Sequence, residues 1–135
     1  PGGREIMGIN GVIITLHPAE HVRLDRDRIV ELGMRLGPVA AEDLISRTME
    51  DLAVMLARVG RAYMARDLPE LARTAGDIRQ HAAHIGMTKL SRVAADAEDL
   101  SSLKDSPSLA AVVDRLSRLG ERSLMAVWDL QEHSV

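Results

Sequence analysis

Four of the five histidines fall into two pairs. His17 and His21 are four positions apart, and His81 and His84 three apart. Either spacing puts two imidazoles on one side of a helix, where they can act as two metal ligands. Two imidazoles alone are a thin basis for a metal site. The Glu-x-x-His pairs of carboxylate-bridged di-iron bundles do not occur, so neither a metal nor another cofactor is expected. Cysteine is absent, which excludes disulfides, thiol nucleophiles and thiolate zinc sites. There is no G-x-x-x-x-G-K-[ST] phosphate loop and no G-x-S-x-G nucleophile elbow. Asp96, Glu98 and Asp99 form a small acidic cluster that reads as a solvated helix face. The basic side chains are unevenly spread. Residues 56–93 hold seven basic groups (Arg58, Arg61, Arg66, Arg73, Arg79, Lys89 and Arg92) against three acidic ones, a net +4. The remainder holds ten basic and seventeen acidic groups, a net −7. A basic third of an acidic protein reads either as a docking face for an acidic partner or as ordinary solvated surface.

The composition bounds the elements that carry these groups. The chain has 135 residues, enough for one domain with one core. Its apolar content is 46%, mostly Ala, Leu, Val and Met, with no Phe, one Tyr and one Trp. That mix favours helices over sheets. It also leaves no aromatic platform for stacking bases, and the net charge of −3 argues against a nucleic-acid binder. No apolar run is long enough to cross a bilayer and no secretory leader is visible, so the cytoplasm is expected and membrane partners are not.

Residues 1–23 read as an irregular or extended N-terminal arm, in part a processing remnant. Within it, Val12–Thr15 suits either a short strand or an extended segment. Residues 24–135 read as one helical domain. Asp25 and Asp27 stand at the start of a short helix carrying Ile29, Val30, Leu32 and Leu36. Gly37-Pro38 breaks it and opens the next helix. Leu44/Ile45, Met49, Leu52, Met55/Leu56, Val59 and Tyr63 then form one apolar stripe. Asp67 is a cap, with Pro69 in the first turn and Glu70 three positions on. Leu68, Leu71, Ala75, Ile78, Ala82 and Ile85 follow, and Gly86 ends that helix. A further helix carries Leu90, Val93/Ala94, Ala97, Leu100 and Leu103. Ser106-Pro107 opens the last one, with Leu109, Val112/Val113, Leu116, Leu119, Leu124, Val127 and Leu130. Met34, Met49, Met55, Met64, Met87 and Met125 are expected to fill gaps in the core and at its boundary. The expected fold is all-α, an antiparallel four-helix bundle with a short additional N-terminal helix.

The stretch from Arg66 to Glu98 resembles a histidine phosphotransfer (HPt) domain. The family's core reads A-H-x-L-K-G-x-x-x-x-x-G, followed by a helix. Ala75 matches the Ala, Ile78 the Leu, Arg79 the Lys and Gly86 the final Gly. Leu90, Val93 and Glu98 match the helix that follows. With generic outer pieces the resemblance spans about residues 24–131. The phosphoacceptor histidine is replaced by Gly76, and the small residue four positions later by Gln80. In the family that imidazole is the covalent nucleophile, and glycine has no side chain to take its place. The resemblance therefore implies a two-component signalling protein that docks on the receiver domain of a response regulator or hybrid histidine kinase without relaying phosphate.

The docking face it implies comprises Arg73, Gly76, Asp77, Arg79, Gln80, Ala83 and His84. At about 100° per residue, with Gly76 as zero, Gln80 lies near 40°, Ala83 near 340° and His84 near 80°. His84 sits about 12 Å further along the axis, too far for in-line attack in the family's docked geometry. It is the alternative acceptor, with His81 behind it. The remaining alternative is a structural bundle, monomeric or homodimeric, that has lost receiver binding.

Overall fold

The computed structural model describes residues 12–15, 21–103 and 107–133, with side chains from 24–103 and 107–129. The described residues are helical apart from one pair of strands. Val12–Thr15 (β1) pairs antiparallel with His21–Leu24 (β2), with Val12 opposite Leu24 and Thr15 opposite His21. The extended arm is thus a strand pair over these residues. Five helices follow: Arg26–Leu36 (α1), Pro38–Met64 (α2), Leu68–His84 (α3), Thr88–Leu100 (α4) and Pro107–His133 (α5).

The helix boundaries come from local chemistry. Asp25 caps α1, its side chain accepting from the Arg28 N–H. Gly37, at φ 85°, ends α1, and Pro38 opens α2, where its missing N–H costs nothing. Asp67 caps α3 by accepting from the Glu70 N–H. The reciprocal half of a capping box is not made, because Glu70 turns to Arg73 and Thr74 instead.

Packing runs α2 to α3, α3 to α4, α4 to α5 and α5 back to α2, with α1 against α2 and β2 against α4 and α5. This arrangement is consistent with a helical bundle. One core joins all the helices, with Leu32, Leu52, Leu71, Ile78, Leu90, Leu116 and Leu119 fully buried. Each such side chain contributes about 1.5–3 kcal/mol of transfer free energy. Gly120 of α5 lies so close to α2 that a Cβ there would be 2.5 Å from Leu56 Cδ1, so glycine permits that approach. Thr48 and Ser101, both buried, donate to carbonyls one turn earlier, those of Leu44 and Ala97. Among the described residues no helix is long and apolar enough to cross a membrane.

Two expectations about packing need correction. Met49 and Met87 are buried, but Met34, Met64 and Met125 lie on the surface, at 83%, 80% and 60% exposure. They flank their helices' stripes instead of joining them. Leu103 lies beyond the end of α4 and is exposed. The side chain of Leu130 and the position of Ser106 fall outside the described residues.

Candidate functional site

Helix α3 carries most of the residues singled out by the sequence. Its buried side is Leu71, Thr74, Ala75, Ile78 and Ala82. Three residues, 85–87, join α3 to α4, and the two helices pack against one another. Gly86 has φ 83°, its N–H donates to the Ala83 carbonyl, and the Met87 N–H donates to Ala82. This is a Schellman turn, which leaves Gly86 in the left-handed region.

The turn brings Glu98 of α4 over Gly76 of α3. A Cβ on residue 76 would lie 2.7 Å from Glu98 Oε2 and 3.2 Å from its Cδ. Gly76 is buried. Arg79, one turn further along α3, donates from Nε to Glu98 Oε1 at 2.9 Å. Ser91 of α4 donates to the Arg79 carbonyl, also at 2.9 Å. The Arg79–Glu98 pair is about two-thirds buried on each side. The position expected to present an open face is therefore roofed by a carboxylate, and the cation beside it is already engaged.

The rest of the expected face divides in two. Arg73, Gln80, Ala83 and His84 are exposed, and Asp77 is half-buried. Arg73 donates to Glu70 Oε2 at 2.6 Å. That bond, followed by the one from the Thr74 hydroxyl, holds the Glu70 carboxyl below its usual range, and the Glu70 carboxylate raises Arg73. The two shifts agree in sense.

The two histidines of α3 are held in opposite tautomers. His81 Nδ1 is 2.8 Å from the Asp77 carbonyl. A carbonyl only accepts, so this nitrogen carries the proton and the Nε2 lone pair is free. His84 Nδ1 is 3.1 Å from Arg28 Nη2. A guanidinium only donates, so this nitrogen is the acceptor and the proton of neutral His84 sits on Nε2. Arg28 Nε also donates to the His84 carbonyl at 2.9 Å. The alternative acceptor His84 is thus engaged by α1, and the imidazole with an uncommitted lone pair is the half-buried His81.

Among the described residues no group of three or more His, Asp or Glu side chains is placed to hold a metal ion. His17 and the side chain of His21 lie outside the described residues. Glu98 is the site residue that sequence reasoning missed. It stands 22 positions from Gly76, and in the linear chain it is one acid among three. The available signal was the Gly86 turn, which aligns α4 with α3 and sets Glu98 opposite Arg79. Asp96 and Asp99 are exposed, as a solvated face requires.

No family model, curated protein or solved structure matches the chain. The functional reading therefore rests on the residues themselves.

Proposed function

We propose that the chain is a two-component signalling protein with an HPt-like antiparallel four-helix bundle, which docks on receiver domains and carries no phosphate. Its place would be the cytoplasm. The observation that carries this reading is Gly76, at the acceptor position of the 66–98 pattern and covered by Glu98. Transfer from a receiver aspartyl phosphate breaks the acyl phosphate bond and forms a phosphorus–nitrogen bond to an imidazole. Residue 76 offers no nitrogen nucleophile. The carboxylate above it repels an incoming phosphoryl group, and Arg79 is committed to that carboxylate. Docking would use the exposed Arg73, Gln80, Ala83 and His84.

The test is a panel of receiver domains, with binding followed by calorimetry and transfer followed with labelled phosphate. The unaltered chain should bind at least one receiver and take no label. Glu98 meets a Cβ at position 76 with the far end of its side chain, so Gly76→His is combined with Glu98→Ala to make room. The double variant should take label. Absence of binding to every receiver overturns the reading. Label on the unaltered chain, abolished by His81→Ala or His84→Ala, makes it an active relay instead.

A homodimerising bundle is the second reading, favoured by the exposed Val30 and Met34, which line a shallow depression on α1. A dimer in sedimentation that is lost in Met34→Glu would move it to first place.

A further inference from the structure

The α2–α3 end of the molecule gathers guanidinium groups. Arg58 and Arg61 lie three positions apart on α2, about 4.5 Å along the axis. With Arg73 of α3 they line an open groove that also contains Asp67 and Glu70. Both acids are committed locally. Asp67 Oδ1 accepts from the Glu70 N–H, and the two Glu70 oxygens accept from Arg73 and Thr74. Among the described residues, the side chains of Arg58 and Arg61 make no hydrogen bond or ion pair, Arg58 acting on Glu70 only at longer range, and both are exposed. The turn adds a further exposed cation, Arg66, whose guanidinium lies 4.8 Å from the centre of the Tyr63 ring.

Small-molecule sites enclose most of their ligand, whereas this groove is open to solvent along its length. Guanidinium groups bind carboxylates through two parallel N–H donors. Two of them one helical turn apart match two carboxylates at the same spacing. We propose that this groove docks an acidic segment of a partner protein, a helix with carboxylates at i and i+3 set against Arg58 and Arg61. The site is on the α2 side of α3, whereas Gly76 and Glu98 are on the α4 side. It shares Arg73 with the receiver-docking face but is centred on Arg58 and Arg61 of α2, so it goes beyond receiver docking and stands without it.

The probe is a synthetic helical peptide with glutamates repeated at i and i+3, titrated into the full chain, beside its glutamine counterpart. No receiver domain is present, so the outcome is separate from the receiver panel. The acidic peptide should bind, and binding should fade as salt rises from about 50 to 500 mM. Arg58→Glu with Arg61→Glu should weaken binding by about tenfold or more, because two attractive pairs become repulsive. The control is Arg26→Glu with Arg92→Glu, equal in charge change. Both residues are exposed and outside the groove: Arg26 follows Asp25, which bonds the Gly86 carbonyl of the α3–α4 turn, and Arg92 is on α4 beside Ser91, which bonds the Arg79 carbonyl. The control should lose less than about threefold, the part due to net charge alone. All four side chains are exposed, so circular dichroism should show both variants folded. Equal losses in the two variants overturn the proposal, as does equal binding of the glutamine peptide. Absence of peptide binding also overturns it. Binding of inorganic triphosphate in place of the peptide would make the groove a phosphate site instead.

Discussion

The two ends of α3 use the same backbone turn and secure it in opposite ways. At the α2–α3 turn the Asp67 N–H reaches the Ala62 carbonyl, and at the α3–α4 turn the Met87 N–H reaches Ala82. Each turn has one residue in the left-handed region, Arg66 at φ 56° and Gly86 at φ 83°. At the first turn every hydrogen bond is local, and the Asp67 side chain caps the next helix. At the second turn there is no side-chain cap, and bonds from far along the chain join the local ones. The Asp25 N–H donates to the Gly86 carbonyl at 2.7 Å, and Arg28 reaches His84. The left-handed residue follows this division. A Cβ on Gly86 would stand 3.0 Å from the Asp25 carbonyl oxygen, so the tethered end requires glycine. The untethered end is open, and an arginine can hold that backbone conformation with its side chain over Tyr63.

The largest effect should come from Gly86→Ala. It adds the left-handed penalty of about 1–2 kcal/mol to crowding against the Asp25 backbone. A fall in melting temperature of roughly 5–10 °C is expected, along with loosening of α1. A melting temperature within about 1 °C of wild type would erase the contrast between the two turns. Asp67→Ala should cost about 1 kcal/mol through the lost cap, measured by urea unfolding. Arg66→Gly should change stability by less than about 1 kcal/mol. Relief of the positive φ is offset by the lost contact with Tyr63 and by the greater freedom of glycine in the unfolded chain.

The smallest effect is one of pH. The Glu70 carboxyl is lowered by Arg73 and then by Thr74. A lowered carboxyl stabilises the fold above its unfolded-state range, near pH 4.3, and loses that contribution as pH falls through its folded value. Arg73 is raised, so its share is present throughout the acid and neutral range. Glu70→Gln should therefore flatten the acid limb of the stability curve slightly and leave the Gly86 end unaffected. Arg73 is exposed and Glu70 only half-buried, so solvent screening keeps the effect small.

These contrasts also mark what can be read from the chain alone. The acidic start of α1, the Asp67 cap, the Gly37-Pro38 break and the Gly86 turn are local, each decided within a few residues, and they stand where residue type puts them. The stripes of α2 and α3 are buried or half-buried at every expected position because a 3.6-residue period has one solution. Other features depend on partners distant in sequence. The pairing of Val12 with Leu24 needs a register that Val-Ile-Ile-Thr does not encode. Glu98 over Gly76 needs two helices aligned by a turn before either residue has meaning. Nothing in an arginine announces a positive φ at position 66. Met34, Met64 and Met125 mislead because a flexible apolar chain beside a stripe fits a core or a surface equally well.

The packing of β2 has a consequence for the order of assembly. Leu24 is 3% exposed, and its strand rests on α4 and α5. Those helices begin at Thr88 and Pro107, so the chain must close long loops before this strand has anything to rest on. Helices α3 and α4, joined by three residues, meet at almost no cost in loop entropy. Refolding should therefore begin with the α3–α4 hairpin and end with the docking of β2. In pulse-labelling hydrogen exchange, the amides of Ala82–Leu90 should gain protection early and those of His21–Leu24 last; the reverse order would place the strand in the nucleus.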